Sequence, residues 1–290
     1  MNRGVIYAIA AYCCWGLFPI YWKWLHAVPP FQVTNHRIVW SFVVLAGMLC
    51  VRRQWRELHA ATNWHSFSRY ALAALLIGAN WFIFIWAVNA GHVLEVSLGY
   101  FINPLLSVLI GVVVLRERLR PWQWIPIALA AAGVAYLTYL HGSLPWISLS
   151  LAATFALYGL VKKTAPLNPL FGMTLETAVL VIPALVYLLF IAYSGNGAFL
   201  HQSPLDDWLL IGGGIVSTGP LLLFASATQR IPLSAIGILQ YIAPILQFVL
   251  GVLIYNEPFS HQQLIGFALI WSALIIFGVG NLLQQRMLNR

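Results

Sequence analysis

Acidic residues are scarce in this chain. Asp206 and Asp207 are its only aspartates, and charged residues of both signs fill only 8% of its 290 positions, against roughly 25% in a soluble domain. A soluble globule is excluded. The sequence also has no HExxH, no GxSxG and no phosphate-cradling GxxxxGK[ST] loop, and its two adjacent aspartates are expected in an outer loop. No hydrolase or ATP-driven pump is legible. Cysteine is nearly absent as well: Cys13, Cys14 and Cys50 all fall inside apolar runs, without CxxC spacing. The chain is therefore expected to hold no disulfide framework, no metal and no cofactor.

What the chain has is apolar length. Hydrophobic residues make up 61% and the mean hydropathy is +0.84. Runs of roughly 18 or more uncharged residues recur, each long enough to cross a hydrocarbon core as a helix. Ten spans are expected, at about 4 to 25, 34 to 52, 69 to 90, 93 to 115, 121 to 140, 144 to 163, 170 to 193, 208 to 228, 232 to 255 and 262 to 282. The first begins after MNRG and runs through Trp15, Phe18 and Trp22 without a small-residue cleavage site, so it reads as a span and not as a signal peptide.

The net charge of +8 would point to nucleic acid in a soluble protein, but here the cations sit in short loops, where they set orientation instead. Thirteen of the 15 Lys and Arg residues fall on one side of a ten-span layout, which places both termini in the cytoplasm. Lys23 and Arg37 are the exceptions. No nucleic-acid partner is expected; the partners are a small-molecule substrate and the lipid bilayer, and a monomer suffices, with a dimer also compatible.

The stretch SLGYFINPLLSVLIGVVVLRE, 97 to 117, is echoed 140 residues later by GILQYIAPILQFVLGVLIYNE, 237 to 257. Pro104 falls on Pro244, Gly111 on Gly251 and Glu117 on Glu257. Phe84, Gln123 and Ala128 likewise land on Phe224, Gln263 and Ala268. Two repeats of five helices follow, 1 to 143 and 144 to 290. Five is odd, so the second copy crosses in the opposite sense. The fold expected is an all-α integral membrane protein of ten transmembrane helices in two inverted five-helix repeats.

The five-plus-five layout, the proline-centred fourth and ninth helices ending in Glu, and the patterns WGLFPIYWK (15 to 23), NHRIVWS (35 to 41), YFINPLL (100 to 106) and LETAVLVIP (175 to 183) resemble the drug/metabolite transporter superfamily. The chain is more closely similar to its EamA-type members of the RarD branch. That resemblance implies an inner-membrane carrier of the exporter kind.

Candidate site residues come from polar side chains in apolar spans, which cost several kcal/mol in lipid if left unsatisfied. Tyr100, Asn103, Ser107 and Gly111 share one helical face, echoed by Gln240, Ala243, Gln247 and Gly251. Either face is a cavity wall or a packing seam; Tyr100, Asn103, Gln240 and Gln247, with Tyr241, are taken as substrate-binding and the glycines as packing. Pro104 and Pro244 each free a carbonyl near mid-membrane. Asn80 sits mid-span in the third helix. Trp15, Pro19, Trp22, Lys23 and His26 lie along one side of the first, where Trp22 and Trp24 read as interfacial belt residues. Arg37, only 14 uncharged residues before Arg52, opens the shortest span; with Lys23 it either attracts anionic groups of a substrate, with Glu95 as counter-ion, or snorkels to the headgroups. Glu176 is the deepest carboxylate. It is a candidate proton carrier or a partner of Lys162 or Lys163. Glu117 and Glu257 are expected to bind loop backbone or basic neighbours.

The function expected is secondary transport of a small organic metabolite or drug-like solute by alternating access, proton-coupled or by facilitative exchange, with a channel or an intramembrane enzyme as alternatives.

Overall fold

The structure, a computed structural model, describes residues 2–89, 93–141, 146–250, 254 and 261–288. Gly251, Glu257 and the connections holding His92, Pro145 and Pro258 lie outside them, and so do the side chains of Glu95, His141 and His261. The regular structure among the described residues is all helical, with no strand. The helices are α1 (Arg3–Trp24), α2 (Pro30–Val51), α3 (Trp55–Ala61), α4 (Trp64–Asn89), α5 (Val93–Val113), α6 (Trp124–His141), α7 (Trp146–Thr164), α8 (Pro169–Tyr193), α9 (Pro204–Thr228), α10 (Leu233–Leu239), α11 (Ile242–Val249) and α12 (His261–Leu288).

Their ends follow from local chemistry. Asn2, Asn168 and Ser203 accept hydrogen bonds from the backbone N–H of Gly4, Phe171 and Asp206, capping α1, α8 and α9. Pro30, Pro169 and Pro204 open α2, α8 and α9, where a missing N–H costs nothing. Helix α3, seven residues between Arg53 and Asn63, is an addition to the expected spans: its length is too short for a periodic apolar signal.

Six helical stretches are long and apolar enough to cross a bilayer, in α1, α2, α4, α6 with the short turn before it, α8 and α9. Helix α8 turns Ile182, Val186, Leu189 and Phe190 outward, each more than half exposed. An apolar exterior of that kind belongs in lipid.

Helix α1 packs on α9 and α11; α2 on α8 and α9; α4 on α7 and α8; α5 on α7 and α10; α6 on α12. Close approach of α5 and α10 requires Gly237, since a Cβ there would lie 2.6 Å from the Pro104 carbonyl oxygen. The two proline-centred segments differ from the expected matched breaks. Helix α5 runs through Pro104 without interruption, while its counterpart splits at Gln240 and Tyr241 into α10 and α11. Pro244 is the third residue of α11, a position where the ring does not clash with a preceding turn.

Two polar contacts join distant parts of the chain at one end of the bundle. The Glu117 carboxylate accepts from the Leu233 and Ser234 N–H groups at 2.7 and 3.0 Å and from the Ser234 hydroxyl at 2.7 Å, capping α10 from 116 residues away. Lys163 Nζ donates to the Ile231 carbonyl at 2.7 Å, two residues before the same helix. Glu117 thus binds backbone, as one of the two expected roles had it.

Candidate functional site

A cavity of about 520 Å³ lies among α1, α2, α4, α5, α7, α9, α10 and α11. Pockets of roughly 300–1,000 Å³ hold drug-sized ligands. Helix α1 supplies a stripe at three- and four-residue spacing, Tyr12, Trp15, Pro19 and Trp22, which His26 extends just past its end. Helix α4 supplies Ile77, Asn80, Trp81 and Phe84 on the same spacing, and α7 supplies Phe155. Tyr100 and Asn103 enter from α5, Ser217 and Leu221 from α9, and Gln240, Ala243, Pro244 and Gln247 from the broken α10–α11 segment.

Aromatic rings form a large part of the wall. Trp15 meets Tyr12 at 5.5 Å and Phe155 at 5.9 Å between centroids, the second pair nearly perpendicular. Such tilted contacts fix the rings against one another. Behind them Phe224 packs on Trp15, Phe155 and Tyr158.

Pro19 has no N–H and so leaves the Trp15 carbonyl without its helical donor. Gln247 Nε2 donates to that oxygen at 3.1 Å. The proline interruption of α1 is thus sealed by a side chain from α11, across the cavity wall. Asn80 Nδ2 is similarly spent, donating to the Leu151 carbonyl at 2.9 Å and Thr154 Oγ1 at 3.0 Å in α7.

Four other polar atoms of lining residues are buried without any hydrogen-bond partner: Tyr12 Oη, Arg37 Nε, Ser217 Oγ and Gln240 Oε1. A buried polar group left so costs roughly 1–3 kcal/mol. Arg37 has its guanidinium carbon 3.9 Å from the Trp81 ring centroid and 5.7 Å from that of Trp22. No carboxylate among the described residues pairs with it.

Of the residues singled out in the sequence, the cavity gathers Trp15, Pro19, Arg37, Asn80, Tyr100, Asn103, Gln240, Pro244 and Gln247. Pro104, Tyr241, Lys23 and Glu176 stand apart from it. Pro104 faces α10 through its carbonyl. Tyr241 is rotated away by the break before α11, and its hydroxyl donates to the Phe101 carbonyl at 3.1 Å. Lys23 is exposed in the last turn of α1, where a cation complements the helix C-terminus. Glu176 takes the second of its two expected roles: Lys162 Nζ binds Oε1 at 2.6 Å and the Tyr158 hydroxyl donates to Oε2 at 3.0 Å, with both charged side chains 2% exposed.

Trp22 corrects the belt assignment, since it lines the cavity beside Arg37. Tyr12, Trp81, Phe84 and Phe155 were not singled out as lining. The spacing that marks Trp15, Pro19 and Trp22 extends back to Tyr12, and Phe84 lies one turn beyond Asn80, so both were findable; Phe155 has no such neighbour.

The model of the EamA-like transporter family matches residues 2–139 and again 144–279. The chain belongs to that family. It is similar to an "Uncharacterized transporter" of Vibrio cholerae, 43% identical over 97% of this chain and 93% of the relative. It is 42% identical to "Protein RarD" of Escherichia coli over 98% and 97% of the two chains. A "Chloramphenicol-sensitive protein RarD" of Pseudomonas aeruginosa is 34% identical over 96% and 94%. A solved crystal structure superimposes with a TM-score of 0.72 at 20% identity, covering 95% of this chain and 97% of the other, which speaks for the fold alone. Apolar helices and transporter relatives together make this family member a multi-pass membrane transporter.

Proposed function

We propose that the protein is a secondary carrier, an exporter of a small organic solute across the inner membrane, which holds its substrate in the aromatic cavity and exposes it alternately to the two faces. The observation that carries the proposal is the convergence of four unpartnered polar atoms on one cavity lined by both halves of the chain. Buried polar groups are normally hydrogen-bonded, so four unpartnered atoms gathered on residues of one cavity support a site that exchanges water for solute.

Alternating access rests on two inverted five-helix repeats. The packing supports that reading. Exchanging the first five long segments with the last five maps the α1/α9 pair onto α7/α4, α2/α9 onto α8/α4, and α1/α11 onto α7/α5; α2/α8, α5/α10 and α6/α12 map onto themselves. The family model matching twice supports it too. Near-equivalent halves give two states of similar energy, related by exchanging which half is tilted.

The cavity reaches the surface at exposed His26, in the α1–α2 connection, and at exposed Pro30, which opens α2. The opposite end carries the Glu117 cap and the Lys163–Ile231 bond. Because Arg3, Arg116, Lys163 and Arg230 crowd that end, it is read as cytoplasmic, with both termini there, and the conformation as outward-open.

Counterflow in proteoliposomes checks the class of mechanism. Vesicles preloaded with a transported solute should take up labelled solute faster than empty ones. Linear conductance without exchange acceleration would indicate a channel, and a new product an enzyme.

A further inference from the structure

Among the described residues, no acid pairs with Arg37. A lone charge within a span costs about 2.5–3.5 kcal/mol even on insertion scales and is kept for a purpose. Its surroundings specify the purpose further. The guanidinium carbon of Arg37 lies over the Trp81 ring, 3.9 Å from its centroid, and 5.7 Å from that of Trp22. Stacking uses the face of the group, while its five N–H donors all lie in the plane. Arg37 Nε is buried and has no acceptor. A guanidinium seated on ring faces with an N–H donor unused has the chemistry to receive a carboxylate in a two-point, fork-to-fork contact.

The rest of the lining restricts the ligand. Among the described residues no Asp or Glu lines the cavity, so nothing there would pair a ligand ammonium group. Among the described residues Arg37 is also the only Arg or Lys in the lining, so a single negative charge is balanced and a doubly charged phosphate is not. Beyond it, Trp15 and Phe155 offer an edge and a face to an aromatic ring.

Resting on the carrier reading above, we propose that the cavity binds a monoanionic aromatic carboxylate, its acid group on the edge of Arg37 and its ring among Trp15, Trp81 and Phe155. Aromatic packing supplies affinity for the ring, and the fork supplies selection for the acid. An uncharged amide of the same shape keeps the first and loses most of the second.

Isothermal titration of the purified full-length protein tests this with three probes of one shape: phenylacetate, phenylacetamide and phenethylammonium. Phenylacetate should bind about tenfold or more tighter than the amide, as expected of a charge-assisted bidentate pair, and the ammonium should bind weakest. In Arg37→Gln the acid and the amide should bind alike, while Arg37→Lys should keep part of the preference as a point charge without the fork. An amide or ammonium affinity equal to that of the acid in the native protein overturns the proposal, without need of any variant. So does an acid preference that survives in Arg37→Gln, or phenylacetate that fails to bind at millimolar concentration. Binding is read apart from transport: a protein that selects the acid but shows no counterflow keeps the subsite and loses the carrier.

Discussion

Lys162→Met is expected to lower the unfolding free energy by roughly 3–5 kcal/mol, the usual loss when one partner of a buried ion pair is removed. Lys162 and Glu176 are each 2% exposed and meet at 2.6 Å between α7 and α8. Tyr158 holds the second carboxylate oxygen, and the rings of Tyr70 and Tyr158 stand 5.6 and 5.8 Å from the ammonium. Without Lys162 the carboxylate has a single hydroxyl donor and no countercharge. The double variant Lys162→Met/Glu176→Met should recover much of the loss, because an apolar pair of similar volume needs no solvation. Reversible unfolding in mixed micelles measures all three proteins. A single-variant loss below about 1 kcal/mol, the range of exposed pairs, would mean that water reaches the pair and that its burial is misjudged.

Ala243→Trp is expected to cut solute exchange by about tenfold or more while the protein still folds, since a pocket of this size cannot hold both an indole and a ligand. Ala243 lies on the first turn of α11, between Gln240 and Gln247, and lines the cavity. Filling a cavity avoids the worst cost of overpacking, about 1–3 kcal/mol in a dense core. Val186→Trp, at a site 64% exposed on the outer side of α8, is the control and should leave exchange unchanged. Uptake into proteoliposomes reads both. Undiminished exchange in Ala243→Trp would place the solute path elsewhere.

Apolar run length, prolines and the 140-residue echo made the long helices legible, because a span needs only a minimum length of uncharged sequence. The echo was less informative about each copy's shape. Pro104 and Pro244 occupy equivalent positions, yet α5 is continuous and α10–α11 is split. A proline sets what one residue can donate; whether the helix opens depends on what packs around it.

The site was legible where a polar residue interrupts an apolar face, as at Arg37, Asn80, Asn103 and Gln240. It was not legible where the choice is between two apolar environments. Trp22 at a helix end is equally at home in a headgroup layer or against Arg37, and only the fold of α4 beside it decides. Tyr241 fails for the converse reason: its phenol finds Phe101 across the bundle, a partner 140 residues away. Glu117 likewise reaches α10 over 116 residues.

Alternating exposure of the cavity is the central claim, and a single cysteine tests it. With Cys13, Cys14 and Cys50 replaced, Ala243→Cys is labelled with a membrane-impermeant maleimide added to one face or the other of sealed vesicles of known orientation. The claim predicts labelling from the α1–α2 side in the resting protein and slower labelling from the opposite side, with a transported solute shifting the ratio between them. Labelling from one side only, under every solute condition, would contradict it.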